Sequence, residues 1–221
     1  NDPDPVYVRN VVPLGRARTF ASFTAIAGAL YNFSDWLPDL KPERVEILKR
    51  TLAPHGVLSV RPIDYFESEL PNAWVLEKGD VRVFGLYNWN TNGAMRVDYP
   101  AAYAGLDPEK TYVGFDFWND RLVPPFRGRL AVDIPADDCR VIAVRELTNR
   151  PFVISTSRHV ASPLFDLMEE RWDAATTTLS GVSRVVSGER YELRIVDRGH
   201  LVRRAFTPDK APFAWTVKCE E

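Results

Sequence analysis

The first ten residues, Asn1-Asp2-Pro3-Asp4-Pro5-Val6-Tyr7-Val8-Arg9-Asn10, are the stretch best suited to chemistry on a small polar ligand. Asp2 and Asp4 stand two apart in an extended run, so their carboxylates project to one side of the backbone. Pro3 and Pro5 enforce that extension and remove two backbone donors. A stiff pair of acceptors at the mouth of a parallel strand, where α/β barrels place substrate contacts, can take the hydroxyl hydrogens of a sugar. Arg9 lies near enough in sequence to brace them from behind. The same run also fits a solvated loop, because Asp and Pro are common turn formers. Its surroundings have to decide.

Other chemistry is thinly supported. His55, His159 and His200 are far apart and have no His or Cys partner at metal-ligand spacing, so no metal is expected. His159, in Ser155–His159, reads as a hydrogen-bonded structural residue. There is no GxSxG elbow, P-loop or GxGxxG, and no cofactor is expected. Cys139 and Cys219 lack CxxC spacing and read as unpaired thiols near strand ends; a single disulfide between them, and with it the compartment, stays open. The Asn32-Phe33-Ser34 sequon reads as chance. Trp74, Tyr87, Trp89, Tyr99, Tyr103, Tyr112, Trp118 and Trp215 are candidates for stacking on sugar, but most are expected in a core.

Composition narrows the partners. A net charge of −2 gives no electrostatic footprint for nucleic acid. No run approaches the roughly 18–20 apolar residues of a membrane span. With 45% apolar residues in 221, the chain can bury a substantial core.

Two patterns divide the chain that must position these groups. Up to about Pro54 the period is helical. Arg16–Ala27 places Phe20, Phe23, Thr24 and Ala27 on related positions. Ala29–Phe33 is short, apolar and aromatic, and suits a buried parallel strand. Pro42 opens a second helix through Leu52, with Val45, Leu48 and Leu52 inward and Glu43, Arg44, Glu46 and Lys49 outward. One parallel strand between helices cannot satisfy both of its edges. The chain also begins on Asn rather than Met, so neighbouring strands are expected upstream in a longer chain.

After Pro54, turn signals separate short strand-like runs. Asp80–Trp89 is apolar on both faces and reads as a central strand. Thr111–Trp118, Leu130–Ile134, Arg140–Leu147, Phe152–Ser155, Ser183–Val186 and Phe213–Val217 are further candidates. Tyr191–Val196 alternates, with Tyr191, Leu193 and Ile195 inward and Glu192 and Arg194 outward. One helix is expected near 163–172, with Ser162 as cap, Pro163 at its first turn, and Leu164, Phe165, Met168 and Trp172 on one stripe.

Several of these segments together resemble one family. Asn1-Asp2-Pro3-Asp4 is similar to the NDPD signature of α-galactosidases and α-N-acetylgalactosaminidases, the melibiase-type glycoside hydrolases, where it closes the seventh strand of a (β/α)8 barrel. Thr24–Leu37 looks like the family's last barrel helix and eighth strand, with Ser34-Asp35-Trp36-Leu37 in place of its Ser-Asn-Asp-Leu-like turn. Val83–Trp89, Tyr112–Trp118 and Leu130–Pro135 resemble strands of its appended sandwich. The likeness covers about residues 1–147.

The resemblance implies a mainly β chain with a small α/β piece: an antiparallel β-sandwich following the last βα unit of a (β/α)8 barrel. Residues 1–54 would be the terminal barrel fragment and 55–221 the sandwich. It implies the C-terminal portion of a retaining hydrolase acting on α-linked sugars, with a carbohydrate substrate and the upstream barrel as partners. The two catalytic carboxylates of that mechanism fall after the family's fourth and sixth strands, so no catalytic residue is expected here and the chain alone should be inactive. Asp4 would help hold the sugar, Asn1 and Asp2 would shape the turn, and Arg9 would support the aspartates. Pro5 stands where many members have Met, at the pocket rim. The competing reading is a carbohydrate-binding or structural sandwich without hydrolase activity.

Overall fold

The computed structural model describes residues 5–52 and 59–219. Its α/β piece begins with extended chain at Val6–Val8, followed by helix α1 (Leu14–Ala27) and helix α2 (Pro42–Thr51). Helix α1 ends at Gly28, whose φ of 65° is the left-handed cap that a residue without Cβ adopts at little cost. Pro42 opens α2 as expected, since its missing N–H would have had no partner there.

Three sequence expectations change in this piece. Phe33 is not a lone strand: it bridges Val6 in parallel, with the Val6 N–H donating to the Asn32 carbonyl at 2.7 Å. Nor is the Ala29–Phe33 run buried, for Leu30 is 71% exposed. The inward face of α2 is Arg44, Ile47, Leu48 and Thr51, with Leu52 exposed. The helix is therefore rotated by about one residue from the apolar stripe, because Ile47 and Leu48 together reach the small Ala17 and Ala21 of α1.

The rest is antiparallel β-structure. Strands β1 (Val60–Pro62), β2 (Ala73–Lys78), β3 (Val81–Asn88), β4 (Met95–Pro100), β5 (Thr111–Asp116), β6 (Arg121–Arg127), β7 (Arg129–Ile134) and β8 (Asp138–Glu146) come first. Six of them form one sheet in the order β1-β2-β3-β8-β5-β6, and β4 pairs with β7 across it. Phe84, Leu86, Ile142 and Val144 pack on Val97, Leu130 and Ile134 of that smaller layer. The opposite face of the large sheet, with Val81, Val83 and Val141, is covered by Ala25 and Ile26 of α1 and by Val160, Ala161 and Leu164. Cover on both sides explains why β3 is apolar on both faces, as its sequence implied.

A second pair of layers follows: β9 (Phe152–Thr156), β10 (Leu167–Asp173), β11 (Thr178–Ser183), β12 (Tyr191–Asp197), β13 (His200–Phe206) and β14 (Phe213–Lys218). The sheet β13-β12-β9 faces the sheet β10-β11-β14 through Val153, Leu193, Ile195, Leu179, Trp215 and Val217. Gly181 lies where β11 is squeezed, since a Cβ there would come within 2.2 Å of the Glu169 carbonyl and 2.5 Å of the Trp215 ring.

Here too the sequence misleads in places. The helix expected near 163–172 is absent: turns run to Asp166 and β10 follows. Ser162 spends its hydroxyl on Ser155 Oγ and the Thr156 N–H, at 2.8 and 3.0 Å, and so does not cap. Ser183–Val186 holds only the last residue of β11, which starts earlier, at Thr178. Arg194 is buried, not outward, because β12 is the middle strand of its sheet and its second face lies against β5.

Candidate functional site

The two parallel segments direct their C-terminal ends to one loop cluster. Val6 and Val8 are buried against α1 and α2, which leaves Tyr7 and Arg9 on the outer side by simple alternation. The chain leaving Phe33 turns through Ser34 and Asp35 beside them. Asp35 is the keystone: its side chain is 1% exposed, Oδ2 accepts the Val8 N–H at 2.6 Å, and Oδ1 accepts Arg9 Nε at 2.8 Å. The Arg9 guanidinium stands over the Tyr7 ring, 4.0 Å from its centroid. Asn10 closes the other side, donating to the Asp39 carbonyl at 2.7 Å and accepting the Lys41 N–H at 3.2 Å. A cleft of about 330 Å³ between Arg9, Asn10, Ser34, Asp35, Trp36 and Asp39 results, with the Trp36 ring 71% exposed at its lip.

Both oxygens of Asp35 already accept hydrogen bonds, so the carboxylate braces the cleft. The half-exposed Arg9, the carboxylate of Asp39 and the Trp36 ring supply a donor, an acceptor and an apolar face of the kind that polyhydroxylated ligands use. Among the described residues, no group of three or more His, Cys, Asp or Glu is arranged to hold a metal ion.

Asn1, Asp2 and Asp4 lie outside the described residues. Arg9 is the one sequence candidate placed in the cleft, and its Nε is held by Asp35. Asp35, Trp36 and Asp39 escape residue-by-residue reading; the available signal is the turn Ser34–Leu37 at the end of the second parallel segment. His159 is structural, as its context implies: it is 6% exposed, with Nδ1 2.6 Å from Asp166 Oδ1. Both cysteines are free. Burial foremost, then Asp138, pushes the Cys139 thiol up to about 12. Of the aromatic candidates, Tyr87, Tyr112 and Trp215 are core residues and Tyr103 alone is exposed.

Tyr31 ties the cleft to α2. Thr51 donates its hydroxyl hydrogen to the Ile47 carbonyl at 2.7 Å, so the Tyr31 hydroxyl, 2.8 Å away, is the donor to Thr51. Burial, with a further contribution from Asp35, raises Tyr31 to about 12, against a partial offset from Thr51. A phenol whose folded value lies above its unfolded one stabilises the fold below about pH 10, and that contribution fades as pH rises through 12. Tyr31→Phe should therefore cost about 1 kcal/mol near neutrality. In urea denaturation the gap to the unaltered protein should narrow from about pH 10 to about pH 12; a constant gap would exclude the assignment.

No protein-family model and no curated protein matches the sequence. Solved structures do match. The α-galactosidase I of Mortierella vinacea superposes with a TM-score of 0.50 at 12% identity, covering 64% of this chain and 38% of that one. A GH27 β-L-arabinopyranosidase of Geobacillus stearothermophilus, in complex with arabinose, gives 0.52 at 12% identity, covering 61% and 31%. The chain spans about a third of the length of these enzymes. Over some three fifths of its length, the chain shares the fold of the matching part, about a third, of this α-galactosidase and this arabinopyranosidase.

Proposed function

We propose that this chain is the C-terminal portion of a retaining glycoside hydrolase acting on α-linked sugars, with residues 1–54 completing a (β/α)8 barrel and 55–221 forming the sandwich that braces it. The observation that carries this reading is the unfinished α/β piece. Val6 and Phe33 make a parallel bridge with α1 between them in sequence, which is one βα unit. Its flank is left apolar and open: Phe20 is 46% exposed, and a groove of about 580 Å³ runs between Val6, Tyr7, Val12, Arg16, Phe20 and Phe23. An apolar flank of this kind is suited to a further strand and helix from the barrel. Fold likeness to sugar-cleaving enzymes points the same way.

In this reading Asp4 hydrogen-bonds substrate hydroxyls, Asn1 and Asp2 shape the turn that carries it, and Arg9, held by Asp35, forms part of the sugar-facing edge. The nucleophile and the acid/base come from upstream. The 221 residues alone should give no turnover of an aryl α-galactoside, while the same chain joined to its upstream barrel should. Turnover by the short chain, free of contaminating enzyme, would refute the assignment. A sandwich that binds sugar on its sheet faces is the weaker reading, because Tyr87, Tyr112 and Trp215 are spent in cores.

A further inference from the structure

Outside the cleft, the most exposed aromatic group among the described residues lies between β1 and β2. Phe66 is 98% exposed, Tyr65 62% and Leu70 49%. The two rings meet edge to face, 5.2 Å apart at 88°. Exposing them forfeits burial, and a contiguous apolar patch of this kind commonly marks an interaction surface.

The loop that carries them is built, not loose. Asp64 beneath it is 2% exposed and accepts the N–H groups of Asn72 and Ala73 at 2.8 and 3.2 Å and the Tyr99 hydroxyl at 2.9 Å. The Glu67 N–H returns to the Asp64 carbonyl at 3.0 Å, Ser68 Oγ donates to the Leu70 carbonyl at 2.7 Å, and Trp89 Nε1 donates to the Pro71 carbonyl at 3.0 Å. Presenting the rings on a fixed frame lowers the ordering cost of binding.

Charge narrows the partner. Glu67 and Glu69 follow the rings in sequence, neither forms an ion pair among the described residues, and residues 63–72 include no Lys, Arg or His. Such a surface repels phosphate and anionic lipid headgroups. Its features are two exposed aromatic rings set edge to face, in a loop that also carries acidic hydrogen-bond acceptors. A sugar ring has the complementary pair, a C–H face and a rim of hydroxyl donors.

We propose that this loop is a contact site for a neutral polysaccharide chain, with Tyr65 and Phe66 stacking on sugar rings and Glu67 and Glu69 accepting their hydroxyls. The site is independent of the hydrolase reading, since binding needs no turnover. The test is electrophoresis of the full chain through gels containing galactomannan or polygalacturonate. Galactomannan should retard the protein and the anionic polygalacturonate should not. The double variant Tyr65→Ala/Phe66→Ala should bind galactomannan about tenfold more weakly, as for loss of a stacking anchor, with an unchanged thermal midpoint because neither ring is in a core. Absence of retardation, or equal retardation of the double variant, overturns the proposal. So does self-association of the unaltered protein that the double variant abolishes while galactomannan has no effect on either.

Discussion

Arg145→Ala should lower the unfolding free energy by about 3–5 kcal/mol and the thermal midpoint by roughly 10 °C. Arg145 lies on β8 in the large sheet with its side chain 7% exposed. Its Nη1 donates to both oxygens of Glu170 on β10, at 3.0 and 3.1 Å, and to the Val153 carbonyl on β9 at 3.0 Å. Glu170 in turn accepts the Val153 N–H at 2.7 Å, and Nη2 of Arg145 reaches Asp80 at 2.8 Å. One guanidinium thus connects the large sheet to both layers of the second sandwich. Removing it strands the Glu170 carboxylate, 11% exposed, with its charge uncompensated. That stranded charge, more than the lost Coulomb attraction, sets the size of the effect. Asp80→Ala is the control: its side chain is 62% exposed, so water screens the pair and the change should stay within about 1 kcal/mol. Similar midpoints for the two variants in chemical denaturation would show that Arg145 is not the link.

Asp166→Ala should cost about 3 kcal/mol, with Asp166→Asn intermediate. Asp166 is fully buried. Its Oδ2 accepts Thr156 Oγ1 at 2.7 Å and the His159 N–H at 3.2 Å, while Oδ1 faces His159 Nδ1 at 2.6 Å. The Asp166 carbonyl takes the Arg184 N–H at 2.8 Å, so one residue joins the end of β9, the turn beyond it and the exit of β11. Without the carboxylate, three donors lose their acceptor away from water. The amide keeps one acceptor oxygen but sets an NH₂ against a donor. Loss of midpoint in urea should be accompanied by faster proteolysis in the turn at 157–166. An alanine variant as stable as the unaltered protein would mean the turn is held by its apolar contacts alone.

These two residues also show where a linear reading of the chain stops. Helices α1 and α2 and strands β3, β5, β7, β8, β9, β12 and β14 follow from local period and punctuation, because apolar spacing, Pro42 and Gly28 act over a few residues. Strands β1, β2, β4, β6, β10 and β13 do not, and β11 does so only at its last residue. β6 carries Pro124 and Pro125, tolerated only because it is an edge strand. β10 reads Leu-Met-Glu-Glu-Arg-Trp-Asp, which has helical spacing when taken alone. It becomes a strand because β11 pairs with it, and because Ser162 and Asp166 hold the preceding turn by bonds to β9.

The same division runs through the candidate site. The sequence by itself determined that an acidic, proline-rich segment precedes a βα unit and a β-rich remainder, since those properties reside in residue type and short-range spacing. Only the tertiary structure decided that Asp35 would hold Arg9, that Val6 would pair with Phe33, and that Arg145 and Arg194 would be interior residues. A charged side chain reads as solvent-facing until a distant turn supplies its counter-charge, as Asp120, between β5 and β6, does for Arg194 at 2.7 Å. That pairing depends on strand order across the whole molecule, which no local pattern contains.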